Sequence, residues 1–497
     1  MDHFVHSLIP IVEGAILLYF LTINGFYALL TLLALMDLRQ YVERWGSEGG
    51  LATPTGFEPP ISIIVPAYNE EAIITASVHS MLQLQYPDFD VIVVNDGSTD
   101  GTLGALIREF QLEKFPCAYR ARLKTERIRG VYRSRAYPEL LVVDKENGKG
   151  KADASNAGIN IAQHPLFLCT DADSILQRDS LLRIVQPFLD DPNTVACGGT
   201  VRVANGCSAI EGVLDRVGIP KNVLGVMQVI EYLRAFLFGR LGWSRLGGLI
   251  LISGAFGLFH KETVMAVGGY RRHVHGEDLD LTLRLHRHLM DRGRPYRIAQ
   301  VPDPVCWTET PENLRSLAAQ RIRWHRGLSE SLWEHRSLMF RRDGGAASWI
   351  AFPFFVVFEW AAPLEEGFGY LFMIAGFAAG FIDVQVFVLF LAIAVGLGAL
   401  LSMAALVLEE TSFHLYPRGR HLAVLVLASI AENLGYRQLQ TCWRLVGMAQ
   451  WATRRQPAWG KMARSGAWVS ATAGRSPRGA SAITATRGRT GRLTPGV

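Results

Sequence analysis

Two kinds of hydrophobic pattern divide this chain. From Ser7 to Met36 almost every position is apolar, with Glu13 and Asn24 as the main interruptions. That run exceeds the roughly 20 residues a helix needs to cross a bilayer. A second apolar block extends from about Ala346 to Leu408 and is broken by Glu359, Glu365, Glu366 and Asp383. Its length predicts an interfacial helix near Ser348 to Phe358 and then two spanning helices on either side of Asp383. Between these blocks the apolar runs are short and often β-branched: Ile61-Ser62-Ile63-Ile64-Val65, Val91-Ile92-Val93-Val94, Leu140 to Val143, and Leu166-Phe167-Leu168-Cys169. Such runs read as buried strands of a mainly parallel sheet. Glu71 to Leu84 is then the crossover helix that a parallel pair requires. The expected class is α/β with an added α-helical transmembrane region. A shorter apolar stretch, His421 to Ile430, is cut off by Glu432, Asn433 and Arg437 and predicts an in-plane or partly inserted helix.

Composition changes this picture in three places. With 497 residues, 49% of them hydrophobic, the chain is too apolar for a wholly soluble protein. The start MDHFVHS carries no Lys or Arg, whereas Arg39 and Arg44 follow the first apolar run. This predicts an uncleaved spanning helix with its N-terminus outside and the next domain in the cytoplasm. The net charge of +5 is uneven, since nine Lys or Arg and no acids lie from Ala452 onward. Such a tail suits lipid headgroups. It is rich in Gly, Ser, Ala and Thr with little aromatic interleaving, which argues against nucleic acid, and from about Ser465 it is expected to be disordered. The six cysteines are scattered without a C-x-x-C pair, so neither a disulfide framework nor a zinc site is expected.

Carboxylates stand at the ends of the expected strands. Tyr68-Asn69-Glu70 and Asp96 follow the first two, where open parallel sheets bind ligands; Asp96-Gly97-Ser98 taken alone also reads as a turn. Asp171-Ala172-Asp173 follows the run ending at Cys169. On extended chain, residues i and i+2 point the same way and can share one divalent ion. Glu277-Asp278 opens a helical stretch, where acids are favoured in any case. Gln320-Arg321-Ile322-Arg323-Trp324 lies in a second, Glu312 to Leu332, with Gln320, Arg323 and Trp324 on one face. That face suits a diphosphate and a stacked sugar ring, or a membrane interface. Arg120 to Arg135 is basic and reads as a solvated loop or a membrane-surface contact. Glu359, Glu365 and Glu366 are expected to face protein, water or sugar, because they are unfavourable in lipid.

In this order the motifs PAYNE (66–70), NDGSTD (95–100), GKGKADASNAG (148–158), DAD (171–173), SGAFGLF (253–259), GED (276–278) and QRIRW (320–324) resemble the processive, membrane-integrated family 2 glycosyltransferases. These include the cellulose, chitin, hyaluronan and poly-N-acetylglucosamine synthases. The resemblance implies a nucleotide-sugar domain of GT-A type over about residues 58–340, after a helix at 1–40 and before membrane helices at 346–450, with the basic tail at 465–497. It implies that Pro66, Tyr68, Glu70 and Asp96 hold the nucleoside, that Lys151 and Asn156 lie near the donor, and that Asp171 and Asp173 hold Mg²⁺ or Mn²⁺. Asp278 would be the base, preceded by Glu277; Gln320 and Arg323 would grip the diphosphate, and Trp324 would cradle the acceptor. Gly276 stands where the family usually has Thr. The implied activity is inverting transfer from a UDP-sugar to build and extrude a β-linked polysaccharide, with single addition to a lipid carrier left open. The implied partners are the donor, a polysaccharide or lipid acceptor and membrane lipids, with accessory export subunits left open. The implied setting is multi-pass in the inner (plasma) membrane. An FxVTxK-like gating loop and a cyclic-dinucleotide domain are not recognisable, which points away from cellulose synthases.

Overall fold

The computed structural model describes residues 2–46, 54, 56–210, 212–416 and 418–454. The basic tail expected from about Ser465 lies outside them. Helix α1, Asp2–Gly46, comes first. The α/β part follows as β1 Ile61–Ala67, α2 Ile74–Leu82, β2 Phe89–Asn95, α3 Thr102–Phe110, β3 Leu112–Lys114, β4 Ile128–Ser134, β5 Leu140–Lys145, α4 Lys151–Ile161, β6 Leu166–Thr170 and β7 Ile175–Leu176. Two short helices, α5 Ser180–Ile184 and α6 Gln186–Asp190, precede β8 Thr194–Val203 and the hairpin of β9 Ser208–Ile210 with β10 Val213–Arg216. Helix α7, Val223–Leu233, runs through a π-helical turn, Arg234–Arg240, into α8, Leu241–Arg245. Then come β11 Phe256–His260, α9 Lys261–Ala266, α10 Glu277–Asp291, β12 Arg297–Thr308 and α11 Leu314–Glu334. The last part holds α12 Phe352–Phe354, α13 Ala362–Ala378, α14 Val384–Ser412, α15 Gly419–Ala431 and α16 Arg437–Ala452.

The main sheet has the order β3-β4-β5-β2-β1-β6-β11-β8-β12-β7. Its centre, β5-β2-β1-β6, is parallel, with Ile61 opposite both Phe89 and Leu166. Strands β4, β7 and β11 run against the rest. Alternation explains why both faces bury. Ile64, Ile92, Val94, Val143 and Phe167 pack on one side with α4 and α10, while Ile63, Val65, Val91, Val93 and Leu168 pack on the other with α2 and α3. Each fully buried aliphatic chain of this kind contributes roughly 1.5–3 kcal/mol. The parallel strands therefore deliver residues 68–70, 96, 146–150 and 171–173 to one edge. Because β11 is antiparallel, with Phe256 opposite Thr170, the preceding residues 253–255 arrive at that edge as well.

Two of the described helices are long and apolar enough to cross a membrane, within Pro10–Glu43 and Val384–Ser412, and Ala347–Trp360 with Ala362–Ala378 forms a third candidate bent by 42°. Helix α1 is also part of the core: Leu30, Ala34 and Leu38 are buried, and the Tyr41 hydroxyl donates to Asp303 of β12, which also pairs with Arg183. Arg202 of β8 pairs with Glu409 of α14, at 1% and 0% exposure. Losing one member of a pair so deeply buried costs about 3–5 kcal/mol, so it ties α14 to the sheet. Glu359 accepts from the Tyr27 hydroxyl at 2.6 Å, and Glu366 accepts from Thr441 at 2.8 Å, so both acids face protein. One expectation fails here: Arg120 to Arg135 is not a loop throughout, since Ile128–Ser134 is β4, antiparallel to β5. Its outward charges hid a strand that lies one in from the sheet edge, between β3 and β5.

Candidate active site

Register sets the first part of the site. Ala67 lies opposite Asn95, so the loops after β1 and β2 leave the sheet side by side. The Asn69 N–H donates to Ser98 Oγ at 3.0 Å, Asn69 Oδ1 accepts from the Thr99 N–H at 2.8 Å, and the Glu70 N–H donates to Thr102 Oγ1 at 2.9 Å. Asn69 takes a left-handed φ of 57°. Asn tolerates that region better than most residues do. The clasp leaves Tyr68 half exposed, with Pro66 and Glu70 partly buried beside it. Asp96 is buried and accepts from the Gly148 N–H at 3.0 Å and from the Lys145 ammonium. Lys145, sealed at the end of β5, also meets Asp153 at 2.6 Å, and Arg272 reaches Asp153 at 3.1 Å. Sequence reasoning missed this network, although a lysine two positions past the run Leu140 to Val143, still on a buried strand, was a signal that a carboxylate must meet it.

The second part joins residues far apart in sequence. Lys151, at the start of α4, pairs with Asp171 and donates to the Gly254 carbonyl oxygen at 2.7 Å. The Gly254 N–H donates to Asp278 Oδ2 at 3.1 Å, while Asp278 Oδ1 accepts from the Leu279 N–H at 2.9 Å. Lys151, Asp171, Gly254 and Asp278 thus form one hydrogen-bonded cluster. Burial alone would push the Lys151 ammonium down, but Asp171 beside it outweighs that and holds it above the ordinary lysine value. Glu277 is pushed up to about 7, first by burial and then by Asp278, with Lys151 and Arg323 opposing. A cavity of ≈ 200 Å³ lies alongside, lined by Lys149, Lys151, Arg272, His273, His275 and Glu277 among others. Three of those side chains are cations, which suits a phosphate-bearing ligand.

Two expectations on these loops need amending. Asp171-Ala172-Asp173 is a turn between β6 and β7, not extended chain, with Asp171 half exposed toward Lys151 and Asp173 buried. The same-face argument therefore does not describe the pair. Their carboxylate oxygens remain hard donors of the kind Mg²⁺ and Mn²⁺ take. Among the described residues no three His, Cys, Asp or Glu side chains converge as a metal cage. Asn156 is buried in α4, and its amide clasps Tyr270, donating to the carbonyl oxygen and accepting from the N–H, each at 2.8 Å. It positions the segment leading to Glu277.

Helix α11 supplies the third part. Gln320 and Arg321 are buried, and Arg321 pairs with Glu231 at 2.6 Å. Arg323 is partly buried, with its charge acting on Glu277. Trp324 is 43% exposed, its ring over the Arg321 guanidinium at 4.4 Å. What lets this helix lie against the start of α10 is a pair of glycines: a Cβ at Gly327 would lie 2.7 Å from the Gly276 nitrogen, and one at Gly276 would lie 3.2 Å from the Gly327 carbonyl. Gly276 in the place of Thr is therefore a matter of space, because α11 passes directly over it. Across α11, a Cβ at Gly447 of α16 would lie 2.7 Å from the Ile322 carbonyl oxygen. His275 completes the clamp by donating its N–H to Glu330 at 3.1 Å.

Residues 62–215 match the family model Glycosyl transferase family 2, and residues 166–407 match Glycosyl transferase family group 2. The chain is 31% identical over 274 residues to poly-beta-1,6-N-acetyl-D-glucosamine synthase of Staphylococcus aureus (strain COL), covering 55% of each. It is 30% identical over 272 residues to the Staphylococcus epidermidis synthase of the same name, again covering 55% of each. The chain thus spans about half the length of the curated relatives it matches. Among solved structures it resembles the mannosyltransferase PcManGT from Pyrobaculum calidifontis in complex with GDP-Man and Mn²⁺, at a TM-score of 0.54 and 18% identity, covering 90% of this chain and 100% of that one. That likeness is one of fold.

Proposed function

We propose, for a chain that belongs to the family 2 glycosyltransferases, that it transfers a hexose or N-acetylhexosamine from a UDP-sugar to the end of a β-linked polysaccharide and passes the product across a membrane. The observation that carries this reading is the single cluster of Lys151, Asp171, Gly254 and Asp278, which sets a cation for phosphate beside a carboxylate for the acceptor. The named synthases at 31% and 30% identity support a polymeric product and make UDP-N-acetylglucosamine the first donor to try.

In this reading Pro66, Tyr68, Glu70 and Asp96 hold the nucleoside at the strand ends, with Lys145 fixing Asp96. Asp171 and Asp173 would hold Mg²⁺ or Mn²⁺, completed by donor phosphates and water, because such ions need only one or two protein carboxylates. When bound, the ion supplies positive charge to the departing diphosphate. Lys151 and Arg323 add cationic hydrogen bonds to the same group. Asp278 keeps one backbone N–H on each oxygen, which fixes its plane and leaves lone pairs to take the proton of the attacking hydroxyl. Attack from the face opposite the leaving group inverts the anomeric centre. The exposed indole of Trp324 is the plate for the acceptor ring.

The catalytic unit of about 58–340 would lie in the cytoplasm, mounted on α1 and the helices after residue 346, in an inner (plasma) membrane. The buried polar contacts between the π-helical turn and those helices, Arg234 with Glu432 and Ser402, support a polar path into the membrane part for a hydrophilic chain. The test is reconstitution into sealed vesicles with UDP-sugar and Mn²⁺ supplied only outside. A polymer resistant to added glycosidase until detergent is added supports synthesis with extrusion. A single sugar on extracted lipid would replace this reading with the lipid-carrier one.

A further inference from the structure

Arg240 has no place in the reading above. It ends the π-helical turn Arg234–Arg240, and such turns recur at functional sites. Its guanidinium lies 3.9 Å from the centre of the Phe236 ring, and its Nη1 is sealed from solvent without a hydrogen-bond partner among the described residues. Burial pushes the guanidinium down to about 10, and the charges acting to hold it up are those of Asp278 and then Tyr232. Tyr232 in turn lies in the field of Arg321, Arg240 and Asp173. Arg321, which underlies Trp324, pairs with Glu231, and next to Glu231 the Tyr232 ring lies 5.8 Å from the Phe236 ring that Arg240 covers, so contacts lead from the indole plate to Arg240. A stiff, stacked guanidinium with an unmet donor is destabilising where no ligand satisfies it.

We infer that Arg240 grips the terminal sugar of the acceptor, donating to hydroxyls beside the one whose proton passes to Asp278. This rests on the proposed transferase function. The acceptor side is favoured because in an inverting displacement the base lies opposite the leaving group, Asp278 is the first charge acting to hold Arg240 up, and the contacts of Arg240 lead to the Trp324 plate. The cations grouped around Asp171 and Glu277, Lys151 and Arg323, are the ones placed for the diphosphate. A planar fork suits a pair of neighbouring sugar hydroxyls in a way an ammonium does not.

The test uses the purified full chain, Arg240→Lys and Arg240→Gln, with UDP-N-acetylglucosamine, Mn²⁺ and an N-acetylglucosamine pentasaccharide as acceptor. Donor Kd is measured by calorimetry, and acceptor kcat and KM are measured from UDP release and product sizing. Loss of charge-assisted hydrogen bonds should lower acceptor kcat/KM by roughly 10- to 100-fold in Arg240→Gln. Arg240→Lys should recover only part of that, with donor Kd in both variants within about twofold of the parent. Unchanged acceptor kcat/KM in both variants, or a donor Kd that weakens in step with the loss, overturns the inference. Should Arg240→Gln fail to fold, Arg240→Lys decides alone, because it keeps the charge and removes the fork. No turnover by the unmodified chain would overturn the transferase reading first and this inference with it.

Discussion

Replacing Gly327 by Ala tests whether the separation of α10 and α11 sets catalytic geometry. The added Cβ would sit 2.7 Å from the Gly276 nitrogen and 2.8 Å from the His275 carbonyl carbon, both rigid backbone atoms. Restoring ordinary contact at about 3.4 Å moves α11 away from the start of α10 by about 0.7 Å. A misplacement of about 1 Å can lower a rate about 100-fold, so kcat should fall roughly 10- to 100-fold. The loops after β1 and β2, where the nucleoside is proposed to bind, are not part of this contact, and of the groups proposed for the diphosphate only those of α11 would shift, so UDP-sugar Kd should weaken less than kcat falls. On stability two effects compete: Ala favours the helix interior by about 1 kcal/mol, while overpacking costs about 1–3 kcal/mol. A net loss of up to about 2 kcal/mol follows, seen as a lower Tm in detergent. Gly276→Ala, with its nearest contact at 3.2 Å, should be milder on both measures. A Gly327→Ala enzyme with unchanged kcat and a raised Tm would refute the reasoning, because propensity would then have acted without any clash.

Four further outcomes are expected. Asp278→Asn should abolish transfer while calorimetry still detects donor binding, and full turnover by that variant would remove Asp278 from the role of base. Asn156→Ala should release the Tyr270 clasp, lowering kcat and Tm with little change in donor Kd; a large loss of donor affinity alone would return Asn156 to the donor site. Glu277 holds its proton up to about pH 7 in the folded chain against an ordinary 4.5, so the folded state binds the extra proton between those values. Stability from this group is therefore lost as pH rises from about 4.5 through about 7, and Tm measured against pH should be flatter over that window in Glu277→Gln. His286, whose buried ring is held down to about 4, acts in the opposite sense, giving stability above 6.5 that is lost as pH falls toward 4, a slope that His286→Gln should reduce.

Much of the fold was legible because burial leaves a local trace. The runs at Ile61 and Val91 became neighbouring parallel strands, and the spacing between them left room for α2 alone. Asp96, Asp171 and Asp278 could be singled out because each follows or opens a regular element. What local pattern could not carry was contact between segments distant in sequence. Gly276 read as a departure until Gly327 was seen over it, 51 positions later. Lys145 carried no local signal of its partners, and packing places it between Asp96 and Asp153. Asn156 sits within a donor-side motif, yet its amide is turned to Tyr270 by the packing of α4. The turn at Asp171 defeated an argument from strand geometry, because chain direction reverses there.

The most direct measurement is UDP release by the purified full chain with Mg²⁺ or Mn²⁺, offering UDP-glucose, UDP-N-acetylglucosamine and UDP-glucuronate singly and together, with the product sized and Asp278→Asn run alongside. The expected result is release with one donor, a high-molecular-weight β-linked product, and neither from the variant. Release without polymer, release that survives in Asp278→Asn, or no release from any donor despite measurable donor binding would contradict it.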